Sequence, residues 1–94
     1  EYELFIPNAF TPFSIDDNLN SEFKPLGVGV NQFLMNIYSR WGQVIFSTND
    51  IEKGWNGRLN NTGENLQLGI YLYYIEIKDV FGANHKYEGQ LSLF

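Results

Sequence analysis

The chain has 94 residues, with six Lys and Arg against eleven Asp and Glu, a net charge of −5 and no cysteine. That length suits one domain with a thin stability margin, and the absence of thiols excludes disulfides, thiolate metal sites and cysteine nucleophiles. Scattered cations on an acidic chain argue against nucleic acid and anionic membrane surfaces as partners, and no apolar run approaches the roughly 20 residues of a membrane-spanning helix. Aromatic residues make up 17% of the chain, and Asn recurs. Both favour strands joined by turns, because aromatic rings suit a pleated, half-buried surface and Asn tolerates left-handed backbone. The sequence opens Glu-Tyr-Glu-Leu-Phe with neither Met nor a signal peptide, so residues 1–94 are read as a single domain excised from a larger protein.

Strand-like alternation recurs along the chain, and no segment carries a helical period. Tyr2–Ile6 reads as a first strand, closed by Pro7. Residues 7–27 hold all three prolines around a polar, acidic middle, which predicts a long loop with at most a short edge strand. Asn31–Arg40 alternates: Phe33, Met35 and Ile37 face one way, and Gln32, Leu34, Asn36 and Tyr38 the other. After a corner at Trp41-Gly42, Gln43–Thr48 returns as the antiparallel partner. Asn49–Gly69 is dense in Gly and Asn and reads as two linked turns. Ile70–Asp79 is the strongest strand, with Tyr71, Tyr73, Ile75 and Ile77 expected to divide between its faces. A turn at Val80–Asn84 leads into a last strand, His85–Phe94. Six or seven short strands punctuated by turns predict a small antiparallel β-sandwich.

Catalytic chemistry is hard to assemble from these residues. The single histidine, His85, sits beside a turn and reads as a solvated surface residue, since a base needs an oriented partner. There is no nucleophile elbow, no Gly-rich phosphate loop and no His cluster at metal-ligand spacing, so the chain is not read as an enzyme. One loop offers ligand chemistry. Asp16, Asp17, Asn18, Asn20 and Glu22 place oxygen donors that suit calcium, without the central Gly or final spacing of an EF-hand. A solvated loop with Asx turns is the preferred reading of that segment, and Asp16, Asp17, Asn20 and Glu22 stand as the candidate calcium ligands behind it. Trp41 and Trp55 could form a sugar-stacking platform, but the core needs apolar area and both are assigned to it. The run Tyr71-Leu72-Tyr73-Tyr74 should line the core with one face and could present a docking face with the other.

Four stretches in order carry a resemblance. "IYSRWGQVIF", "GWNG", "LGIYLYYIEIKDVFG" and a final "GQLSLF", together with the opening "IPNAFTP", resemble the gliding-motility-associated C-terminal domain. This is the type B sorting domain of the type IX secretion system of Bacteroidetes, and the likeness runs from about Phe5 to Leu93. It implies an Ig-like form of the sandwich and a non-catalytic targeting function: a cargo protein, adhesins among them, crosses the inner membrane by an ordinary signal peptide. The outer-membrane machinery then recognises the domain and delivers the cargo to the cell surface or the medium.

By position, Arg40-Trp41-Gly42 and Gly54-Trp55-Asn56-Gly57 match the family's signature turns, with Asn56 where Asp is commoner. Gly69-Ile70-Tyr71 matches the usual start of the long strand, and Asp79 with Gly82 its closing turn. The stretch "FSIDDNLNSEF" departs from the family pattern, with about two extra residues and no glycine; only Asp17, Asn20 and Phe23 fall in register. Many members also finish with a basic residue, where this sequence finishes at Phe94. Two alternatives stay open for the Trp41 corner, namely reading by the translocon and maintenance of the fold; fold maintenance is the preferred reading for Trp41 and Trp55, with recognition through exposed polar residues nearby. The competing function is a carbohydrate-binding or adhesive module, which an exposed aromatic strip would favour. A monomer is expected.

Overall fold

The computed structural model describes residues 1–10, 22–61, 63 and 66–93, with Ala9 and Phe10 as backbone only. Seven strands follow in order: β1 (Glu3–Phe5), β2 (Ala9–Phe10), β3 (Leu26–Val28), β4 (Val30–Tyr38), β5 (Val44–Thr48), β6 (Gly69–Asp79) and β7 (Asn84–Leu93). A single 3-10 turn at Leu59–Asn61 is the only helical element among the described residues. The fold is the all-β Ig-like sandwich that the alternation and the resemblance imply. One sheet runs β2-β7-β6-β4-β5, and the other is the pair β1-β3. All neighbours are antiparallel except the two-residue β2, which lies parallel to the end of β7.

The pleat sorts side chains by parity. Phe33, Met35 and Ile37 of β4 are buried as the alternation predicts, opposite Ile77, Ile75 and Tyr73 of β6. Tyr71, Tyr73, Ile75 and Ile77 are not divided between faces: all four point to the core, because residues two apart in a strand share a side. On β5 the register steps from Ile37–Phe46 to Tyr38–Val44. Ile45 is therefore the extra residue of a bulge, which lets two consecutive residues, Ile45 and Phe46, both reach the core.

The second layer is thin. Leu4 of β1, with Tyr2 and Ile6 beside it, packs on the large sheet together with Phe23, Trp55, Ile51 and Leu66. Phe23 and Trp55 join this layer through two backbone hydrogen bonds, at 2.8 and 2.9 Å. On the large sheet Gly89 faces Tyr73 across β6 and β7. A Cβ at Gly89 would stand within 3 Å of the Tyr73 ring, so the glycine makes room for the ring to cross β7.

Candidate functional site

The Arg40-Trp41-Gly42 corner joins β4 to β5. The Ser39 amide donates to the Gln43 carbonyl, and the Gly42 amide to the Ser39 carbonyl, both at 2.9 Å. Ser39 Oγ accepts from the amides of Trp41 and Gln43 at 3.3 Å. Gly42 completes the reversal at φ +88°, backbone that glycine enters without a Cβ penalty. So tight a closure sends the central side chains away from the sheets, and Trp41 is 83% exposed. Its expected core role is thereby corrected. The interior at this end is already filled by Tyr71 and Trp55, whose rings meet edge to face with centroids 5.1 Å apart.

Trp41 is flanked by a cation. The Arg40 guanidinium lies 5.9 Å from the Trp41 ring centroid, a cation–π distance. It also reaches the start of β6, with Nη2 3.6 Å from where a Gly69 Cβ would stand. Burial raises the Tyr71 phenol pKa, and the Arg40 charge opposes that rise in part. Arg40, Trp41, Leu68 and Ile70 border one shallow depression, and all four are exposed.

The Gly54–Gly57 corner has the opposite fate. Trp55 is 0% exposed, and its ring N–H donates to the Arg58 carbonyl at 2.9 Å. A Cβ at Gly54 would stand 2.9 Å from Glu22 Cβ and 3.0 Å from the Phe23 carbonyl oxygen, so only glycine permits the crossing. Asn56 and Asn61 clasp each other. The Asn56 amide N–H donates to Asn61 Oδ1 at 2.9 Å, and Asn56 Nδ2 donates to the Asn61 carbonyl at 3.1 Å. Asn56 Oδ1 accepts from the Arg58 amide at 3.1 Å, and Asn61 Nδ2 donates to the Gly54 carbonyl at 2.9 Å. Four bonds from two side chains hold a loop in which Gly57, Asn60 and Asn61 all have positive φ. Its geometry is that of a structural clasp.

A third corner, Asp79–Ala83, repeats the first with different residues. The Asp79 amide donates to the Ala83 carbonyl at 2.9 Å and the Gly82 amide to the Asp79 carbonyl at 3.0 Å. Asp79 Oδ1 accepts from the Phe81 and Ala83 amides at 2.8 and 3.0 Å, the place Ser39 Oγ takes in the first corner. Gly82 has φ +90°, and Phe81 is 73% exposed at the tip. β4 and β6 are antiparallel, so the two tips lie at opposite ends of the sheet.

Asp79 does more than close its turn. Its Oδ2 accepts from His85 Nε2 at 2.8 Å, and the His85 ring stacks on Tyr2 with centroids 4.1 Å apart. The Tyr2 and Tyr87 hydroxyls meet at 2.6 Å. The His85 hydrogen bond, helped by the Ala83 and Phe81 amides, holds the Asp79 carboxyl below the usual carboxylate range. Burial, then the Tyr87 hydroxyl, raises the Tyr2 phenol. His85 is thus a partnered, half-buried residue and not a solvated one. Laying Ser39-Arg40-Trp41-Gly42-Gln43 over Asp79-Val80-Phe81-Gly82-Ala83 would have exposed the shared turn, but nothing local to His85 announces Tyr2.

Of the candidate calcium ligands, Asp16, Asp17 and Asn20 lie outside the described residues, as does Asn18, and Glu22 is exposed. Among the described residues no group of three His, Asp or Glu could hold a metal ion, and no helix is long and apolar enough to cross a membrane.

Comparison with known proteins gives two matches. Residues 4–93 match the sequence model of the CHU_C type IX secretion signal domain. CopC from Methylosinus trichosporium OB3b is similar in structure, with a TM-score of 0.61 and 10% identity over 97% of this chain and 88% of that one. At that identity the likeness is one of fold. No curated protein matches the chain.

Proposed function

Because the chain belongs to the CHU_C type IX secretion signal domain family, we propose that it is a non-catalytic targeting domain that directs an attached cargo through the type IX secretion system to the cell surface or the medium. The family match across residues 4–93 carries this reading, and the proposed partner is the outer-membrane secretion machinery. The two signature corners divide the work. Arg40, Trp41 and Gly42 form the recognition corner, because Trp and Arg are the side chains that most often dominate a protein interface and both are exposed here. Gly54, Trp55, Asn56 and Gly57 maintain the fold.

The placement of the N-terminus supports that division. The Glu1 carbonyl presses against Gly29, and Tyr2 lies on His85, both at the Phe81 end of the sheet. Polypeptide joined before Glu1 leaves from that end, so a cargo there would leave the Trp41 corner open to a receptor. The glycan-binding alternative is weaker in the form that relies on the tryptophans, since a buried Trp55 cannot share a stacking platform with Trp41.

The test is a transport assay. Residues 1–94 are fused behind a signal-peptide-bearing fluorescent reporter in a host with a working type IX system and in a translocon-deficient strain. Delivery only in the working strain is expected, with Trp41→Ala and Arg40→Ala reducing it while the domain remains folded. Periplasmic retention in both strains would overturn the targeting role. Full delivery of both variants would remove the corner from it.

A further inference from the structure

The outward face of the large sheet is a second surface, and its chemistry is uneven. Even-numbered residues of β4, β6 and β7 form rows across it: Tyr38, Leu72 and Gln90; then Asn36, Tyr74 and Glu88; then Leu34, Glu76 and Lys86; then Gln32, Lys78 and Asn84. The first two rows hold both tyrosines of this face. Tyr38, Leu72, Tyr74, Glu88 and Gln90 border a shallow depression of about 450 Å³ whose floor is the backbone at Tyr73 and Gly89.

Tyr38 is tethered along its own strand. Ser47 Oγ donates to Asn36 Oδ1 at 2.6 Å, and Asn36 Nδ2 donates to the Tyr38 hydroxyl at 3.1 Å. An aromatic ring fixed before binding loses less entropy when a ligand arrives. The charges around it are also sorted. Lys86 lies 3.9 Å from Glu76, so that pair is locally neutral, while Glu88 makes no ion pair among the described residues. Desolvation, then the Glu76 hydrogen bond and the charges of Glu76 and Glu88, raise the Tyr74 phenol pKa. Two half-exposed tyrosine rings beside an unneutralised carboxylate make a negative, aromatic shelf. That combination is complementary to a cation, which gains from the ring quadrupole and the carboxylate together. Phosphate and other anions would meet Glu88 unfavourably.

The geometry points to the shelf of Tyr38, Leu72, Tyr74 and Glu88 as a docking site for a basic peptide segment of a protein partner, an Arg or Lys side chain lying over the tyrosines and its charge meeting Glu88. The inference rests on the targeting reading only in taking the partner to be a protein of the export route. The shelf adjoins the Trp41 corner, since Tyr38 is the last residue of β4 before it, and the two depressions share no lining residue, so one receptor could engage both.

The experiment is an NMR titration of the 94-residue chain with an N-acetylated, C-amidated tetra-arginine peptide. Tetraglutamate and cellohexaose are the comparison ligands. Saturable shifts at the amides of Tyr38, Tyr74 and Glu88 are expected with tetra-arginine alone, weakening as salt is raised. Glu88→Gln, which keeps shape and removes charge, should weaken binding about fivefold or more, and Tyr74→Leu similarly, from the size of exposed cation–π and charge-assisted contacts. Glu52→Gln, at a remote exposed carboxylate paired with Lys24 at 3.4 Å, should leave binding unchanged. The proposal is overturned if tetra-arginine causes no saturable shift, if Glu52→Gln costs as much as Glu88→Gln, or if cellohexaose shifts the same amides. Because the titration uses the isolated chain, the shelf and the transport role can fail separately.

Discussion

Trp41 and Trp55 each stand beside a glycine in a corner of this chain, yet one is 83% exposed and the other 0%. The difference lies in what crosses above each ring. At Gly54-Trp55 the segment around Phe23 runs close enough to exchange two backbone hydrogen bonds and to forbid a Cβ on Gly54. At Trp41-Gly42 no atom comes within 4 Å of where a Gly42 Cβ would stand. A Trp–Gly pair therefore specifies a sharp corner, and only a second chain segment turns it into core.

The largest effect should come from removing the buried ring. Trp55→Ala is expected to cost about 3–5 kcal/mol, most or all of the stability of a domain this size, because it leaves a cavity and an orphaned Arg58 carbonyl. Trp41→Ala should change stability by about 0.5 kcal/mol or less, as exposed substitutions do. Urea unfolding of the two variants measures both, and equal losses would break the contrast.

The glycines sharpen it. Gly54→Ala forces a methyl group against Glu22 and the Phe23 carbonyl and should cost about 1–3 kcal/mol through overpacking. Gly42→Ala meets no neighbour and should cost about 1 kcal/mol, from the positive φ alone. Thermal melts that reverse this order would mean that the Phe23 crossing is looser than its hydrogen bonds indicate.

The two matching hairpins extend the comparison to charge. Asp79 closes its turn with a carboxylate whose pKa is lowered in the fold, chiefly by His85. Its stabilising contribution is present above the ordinary carboxylate value of about 4 and is lost as pH falls through the lowered value. The native chain should therefore lose stability on the acid side more steeply than Asp79→Asn, which pH-dependent urea midpoints would reveal. Ser39 makes the equivalent bonds at 3.3 Å with no charge and no further side-chain partner among the described residues, so Ser39→Ala should cost only about 0.5 kcal/mol, less than the loss of the Asp79 contacts. Parallel acid limbs for native and Asp79→Asn would mean that the Asp79–His85 contact carries no net stability.

Much of this was readable from the residues in order. Alternation placed β4 and its core set Phe33, Met35 and Ile37; Gly42 and Gly82 marked the hairpins; and four motifs carried the family resemblance that the match over residues 4–93 bears out. Parity was misjudged at Tyr71, Tyr73, Ile75 and Ile77, although the two-residue period alone would have put them on one face. The sequence by itself determined dihedral preferences and side-chain periodicity, because both are set by neighbours within a few residues. The tertiary structure decided which Trp is buried, that Tyr2 finds Tyr87, and that Asp79 finds His85 on the returning strand. Burial depends on the segment packed opposite, and hydrogen-bond partners 85 positions apart are joined by the fold, with no local pattern to announce them.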